Sequence, residues 1–230
     1  MQSTGLSESS GIKLNSVFEA ASPVELFLSP DAVPDIDFNN LGLLGKIVSR
    51  PCLFEYFRFP PTEDDICNCM LQLFTWQKKL YQKAEQEGKE PPTEEVLPHL
   101  WVIIASPTEA LLETFLEEFG TNPNFSDWYQ GVYFLDDEFK TSLIAINQLP
   151  VTPDTLWLRM LGRGTILEQA VNEFLAFPED YPLRNRVVKL VGNWCAETEG
   201  EEELAEEDKE FLRLLSPIYQ QWQEGMASLD

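Results

Sequence analysis

Two acidic residues stand where acids are expensive. Glu25 lies in Val24-Glu-Leu-Phe-Leu28, and Glu55 lies in Leu53-Phe-Glu-Tyr-Phe-Arg58. A carboxylate inside an apolar strand is costly unless it faces water, a cation or a metal. Two such strands side by side can bring their carboxylates together around Mg²⁺, which takes oxygen ligands and keeps several waters. Metal-activated water can then attack a phosphodiester. The competing reading has both acids pointing outward at sheet edges.

Other reactive residue types are sparse. Cys67 and Cys69 form a C-x-C, but Cys52 and Cys195 are scattered and His99 is the only histidine. Zinc sites announce themselves with paired C-x-x-C or H-x-x-x-H spacings, so these cysteines read as ordinary helix residues. No serine sits in a G-x-S-x-G elbow, and His99 opens an apolar strand just after Pro98. Gly162-Arg-Gly164 is the one Gly-dense spot with a basic residue. It lacks the G-x-G-x-x-G spacing of a phosphate loop and reads as an inter-helix turn. Residues 197–210 hold nine acids and one lysine. Such a run is a solvated face, or a phosphate mimic that occupies a basic groove on a partner.

The elements that must position these groups follow from composition and periodicity. The 230 residues carry a formal charge of −23, which opposes a constitutive nucleic-acid coat because phosphate binding needs a positive field. With 43% hydrophobic residues, the chain has enough apolar material for a core. No stretch approaches the roughly 18–20 apolar residues that span a bilayer. The first ten residues lack a basic then apolar leader. The expectation is a cytoplasmic protein with reduced cysteines and no membrane association.

Residues 1–11 are Ser- and Gly-rich and read as disordered. Strands are expected at 13–19, 24–29 and 52–57, with a short helix at 41–48 that Pro51 ends. Thr62 caps a long helix whose first turn holds Glu63, Asp64 and Asp65, at the end where the helix dipole favours anions. The run 99–105 reads as a strand buried on both faces. Ser106-Pro107-Thr108-Glu109 starts a helix with Ser106 as cap, and Gly120 stops it. Residues 131–135 and 142–146 form a hairpin. From 149 onward the pattern is helical: a helix from Thr152-Pro153, one capped by Thr165 with Glu168, one over 183–194 and one over 206–226. This is an α/β chain: a mixed central sheet flanked by helices over 12–148, then an all-helical extension over 149–230 containing the acidic segment.

Several stretches carry a resemblance. They are Leu41-Gly-Leu-Leu-Gly-Lys46, Pro51-Cys-Leu-Phe-Glu-Tyr-Phe-Arg58, Ile66-Cys-Asn-Cys69, Gly131-Val-Tyr-Phe-Leu135, the block 148–164 containing Pro153-Asp-Thr-Leu-Trp-Leu-Arg159, and Phe177-Pro-Glu-Asp-Tyr-Pro-Leu-Arg184. Over roughly residues 22–194 the chain resembles a family of uncharacterised cyanobacterial proteins. That family is distantly similar to the PD-(D/E)XK nuclease-like fold of the recombination-promoting nuclease and putative transposase group. The resemblance implies a restriction-endonuclease-like core, with a metal-binding acid on the second strand, an E-x-K or E-x-Q on the third, then a helix and a fourth strand. It places Glu25 and Glu55 as the catalytic and metal-binding acids. Three departures stand out: Phe57 occupies the Lys or Gln position, Arg58 comes one residue late on the opposite face, and Glu replaces Asp at position 25. The N-terminal helix expected before strand one has no counterpart in the polar start.

The resulting expectation is a cytoplasmic protein of divergent nuclease-like fold, with or without activity. If active, it hydrolyses nucleic acid with Mg²⁺ held by Glu25 and Glu55. The alternative is a non-enzymatic interaction or regulatory module that binds a protein partner through its acidic helical C-terminal region. The enzyme reading requires both carboxylates in one cleft near Lys46 or Arg58. The binding reading predicts separated acids and an exposed apolar stripe with Phe211, Leu215 and Trp222.

Overall fold

Three parallel strands form the middle of the sheet: β2 (Cys52–Phe57), β3 (His99–Ile104) and β5 (Thr141–Ala145). Antiparallel strands complete it, β1 (Leu26–Leu28) beside β2 and β4 (Val132–Phe134) beside β5. The order is β1-β2-β3-β5-β4. This is a computed structural model, and it describes residues 26–28, 37–121, 128–198 and 206–227. The expected strand at 13–19, the polar residues 1–11 and Glu25 lie outside the described residues.

The two crossovers put helices on one face of the sheet. α2 (Glu63–Gln86) joins β2 to β3, and α3 (Glu109–Phe119) follows β3. Parallel neighbours need such long connections. Ile66, Met70 and Leu73 of α2 and Phe115 of α3 pack with Leu53, Leu100, Val102, Ile104 and Leu143. The alternate residues Cys52, Trp101, Ile103 and Ile144 face the other way. They meet Leu43, Ile47 and Val48 of α1 (Gly42–Val48), together with Leu158 of the short α4 (Leu156–Arg159). β3 is thus buried on both faces, as its unbroken apolar run requires.

Local signals explain most boundaries. Thr62 and Asp65 form a capping box: the Asp65 N–H donates to the Thr62 hydroxyl at 3.2 Å, and the Thr62 N–H donates to the Asp65 carboxylate at 2.8 Å. The Thr62 hydroxyl, which donates to the same carboxylate at 2.7 Å, and then the Thr62 N–H hold the Asp65 carboxyl below its ordinary range. Two expected caps move. Thr108, not Ser106, caps α3 by accepting from the Leu111 N–H at 3.2 Å. α5 (Gly164–Leu175) starts at Gly164 after Arg163, with no side-chain cap from Thr165. Gly42 has φ of +53°, and a Cβ there would collide with the backbone of Asp154.

Beyond the sheet, α4 and α5 pack with α6 (Arg184–Thr198) and α7 (Glu206–Ala227) around Leu167, Phe174, Cys195, Leu215 and Ile218. Arg159, 1% exposed, braces this layer: its guanidinium donates to both Glu173 oxygens at 3.0 and 2.6 Å and to the Thr152 carbonyl at 2.9 Å. No helix among the described residues is long and apolar enough to cross a membrane.

Candidate functional site

β2 carries the acid that the sequence singles out, so its two faces decide the chemistry. Leu53 and Phe57 belong to the α2-side cluster, while Cys52, Phe54 and Tyr56 pack on the α1 side. Alternation puts Glu55 on the α2 side, half-buried beside the register position of Val102. β2 is paired on both flanks, so Glu55 is not on an edge strand.

Cys69 lies close enough to Glu55 to feel its charge. Burial first, and then the charges of Glu55 and Asp65, push its thiol up to about 12. It donates to the Asp65 carbonyl at 3.0 Å. A thiol held that high is a poor source of the thiolate a soft metal takes. Cys52 is likewise raised to about 12 by burial. The C-x-C is therefore split, with Cys67 exposed and Cys69 buried. Among the described residues, no group of three or more His, Cys, Asp or Glu is placed to hold a metal ion.

The two basic residues expected near the carboxylates line different spaces. Arg58 follows β2 with the parity of the α1 side, and its guanidinium sits 5.2 Å from the Phe211 ring centroid. Its carbonyl accepts from Arg163 at 3.4 Å. Arg58, Ser106, Arg163, Thr165, Glu210 and Phe211 line a cleft of about 410 Å³ beyond the carboxyl ends of β2 and β3. Lys46 instead lies 3.7 Å from the Trp128 ring centroid. It lines a second cavity of about 680 Å³ at the opposite, starting ends of β3 and β5. Glu55 lines neither space. No family model, curated protein or solved structure matches the chain.

His99 opens β3 at that second cavity. Its Nε2 lies 2.8 Å from the Ser142 hydroxyl, and its ring centroid is 5.1 Å from that of Trp101. Burial, and then the charges of Lys140 and Arg50, lower its pKa to about 4, so the ring is neutral at pH 7. Ser142 is fully buried, so the pair is a structural bond and not a nucleophile facing substrate. The sequence reading missed both the pairing and the cavity. The one available signal was the density of aromatics at Trp101, Trp128 and Phe134, which close on one another at 4.9 to 5.6 Å.

The exposed C-terminal stripe is overturned. Leu215 is 4% exposed in the helical core. Phe211 packs edge-on against Trp194 at 5.6 Å. Trp222 stacks on Tyr219 at 5.6 Å and presses against Gly192 of α6. The apolar period of α7 faces inward because α5 and α6 cover it. Of the acidic segment's side chains, those of Lys209 and Glu210 are among the described residues and both are exposed; residues 199–205 lie outside them.

Proposed function

We propose that the chain is a divergent protein of nuclease-like fold that acts by binding, as a non-enzymatic interaction or regulatory module, through a surface other than the covered apolar stripe of α7. Phe57 carries this reading. It stands where a Lys or Gln would orient the attacking water, and its ring packs into the α2-side core. A phenyl ring neither donates nor accepts the hydrogen bond that step needs. Glu55 lines neither of the two cavities described above, which supports recognition elsewhere on the surface. All four cysteines are free, which supports a reducing, cytoplasmic setting.

A second reading, Mg²⁺-dependent phosphodiester hydrolysis at Glu25 and Glu55, draws on the strand register. Leu26, next in sequence to Glu25, pairs in antiparallel fashion with Phe54, next in sequence to Glu55. The order β2, α2, β3 also suits the strand, helix, strand sequence that the resemblance implies.

Calorimetry with Mg²⁺ and Mn²⁺ on the wild type and on Glu25→Ala/Glu55→Ala separates the two. Under the binding reading the wild type shows no saturable uptake at millimolar metal and cleaves neither DNA nor RNA. Uptake that vanishes in the double variant, with metal-dependent cleavage by the wild type, would overturn it in favour of the nuclease.

A further inference from the structure

The larger cavity has the size and make-up of a small-molecule site. Its volume of about 680 Å³ falls within the range of known ligand pockets. Its floor is apolar: Trp101 and Phe134 are buried, and Trp128 packs against both. Its walls bring together Lys46 and Arg50 from the end of α1 and Lys140 from the start of β5. Three cations at one cavity are unusual in a chain of net charge −23.

Two of those cations have no competing carboxylate among the described residues, although Lys46 lies over the Trp128 ring. Lys46 and Arg50 make no ion pair among the described residues, whereas Lys140 lies 3.4 Å from Glu94. Arg50 and Lys140 both lie close enough to His99 to disfavour its charged form. The rim also carries Glu95, Asp136 and Asp137. Those acids repel a polyanion, so one anionic group can be accommodated but a nucleic-acid strand or polyphosphate cannot.

We propose that this cavity binds a small monocarboxylate with an apolar body, its carboxylate held by Arg50 and Lys46 and its body laid on the Trp101–Phe134 floor. The proposal is independent of whether Glu25 and Glu55 hold a metal.

Phenylacetate titrated into the full chain tests it, with tryptophan fluorescence and the His99 imidazole resonance as readouts. Binding should saturate at millimolar concentration and weaken about tenfold in Arg50→Gln, the loss expected when a charged hydrogen-bond donor is removed. Phenylacetamide, the neutral analogue, should bind about tenfold more weakly too. The bound carboxylate should also move the His99 titration upward, because it offsets the field of Arg50 and Lys140. Arg50 and Lys46 are exposed, so their glutamine variants keep the fold, which the urea midpoint verifies. Absence of saturation would overturn the proposal. So would equal affinity in Arg50→Gln and Lys46→Gln, which would place the ligand elsewhere, or tighter binding of adenosine triphosphate, which would refute the exclusion of polyanions.

Discussion

His99 makes the folded state sensitive to acid, and its contribution can be isolated because the chain holds a single histidine. Folding lowers its pKa from 6.5 to about 4, chiefly through burial and then through Lys140 and Arg50. Between those two values the unfolded chain binds more protons than the folded one, so stability rises with pH. The contribution of the neutral ring is therefore complete above pH 6.5. It is lost as pH falls from 6.5 towards 4, and below 4 it is gone. A gap of about 2.5 units at ~1.36 kcal/mol per unit sets an upper bound of about 3 kcal/mol. Near pH 5 about 2 kcal/mol of it has been lost. The perturbation is His99→Gln, which keeps a neutral hydrogen-bonding side chain opposite Ser142 but removes the titration. Urea unfolding of both proteins from pH 4.5 to 7.5 is the assay. The carboxylates common to both cancel in the difference, so the wild type should lose its advantage over the variant as pH falls. A difference in stability that stays constant within about 0.5 kcal/mol across that range would refute the reasoning. A His99 pKa of 6 or above by NMR would do the same.

Two further perturbations test the helical layer. Glu173→Ala strands the buried Arg159 guanidinium without its paired carboxylate and should cost about 3 kcal/mol in urea unfolding, while Arg159→Met, which removes the charge as well, should cost less. Gly192→Ala drives a methyl group into the Trp222 ring and should lose about 1–3 kcal/mol, with a change in tryptophan emission as α7 is displaced from α6.

The fold was largely legible because each main element announces itself locally. The apolar run of β3, the Thr62 cap of α2 and the helical period of α7 each depend on neighbours within a few residues. What failed was cap choice between adjacent candidates. Ser106 and Thr108 both suit a helix start, and packing of Leu112 and Phe115 selects Thr108. The candidate site was far less legible. Period-two alternation correctly separates Glu55 from Arg58, but nothing local shows that Lys46 and His99 share a cavity. They are brought together by β2–β3–β5 pairing across more than fifty residues of chain. The apolar stripe of α7 misled for the converse reason: an amphipathic period gives a face, not the identity of what covers it.

The placement of the cations limits what the protein can recognise. Lysine and arginine total 16 against 39 acids, so any local positive field must be assembled against the net charge. Arg159 and Arg184 are buried and bonded within the helical layer, where they hold Glu173 and Gln221 and offer nothing to a ligand. Arg58 and Arg163 meet at the cleft, but each lies over an aromatic ring and Glu210 stands beside them. Lys46, Arg50 and Lys140 gather over the Trp101–Phe134 floor. A polyanion approaching this chain meets long-range repulsion everywhere and a ring of acids at that cavity. A small monoanion meets the same repulsion only weakly, and in 0.15 M salt it is screened beyond about 8 Å. Short-range pairing with Arg50 and Lys46 then decides the outcome. Raising the salt should therefore weaken phenylacetate binding only slightly, whereas binding dominated by a long-range field would fall steeply. Calorimetric titrations at 0.05 and 0.5 M salt distinguish the two, and a steep fall would mean that the apolar floor contributes little.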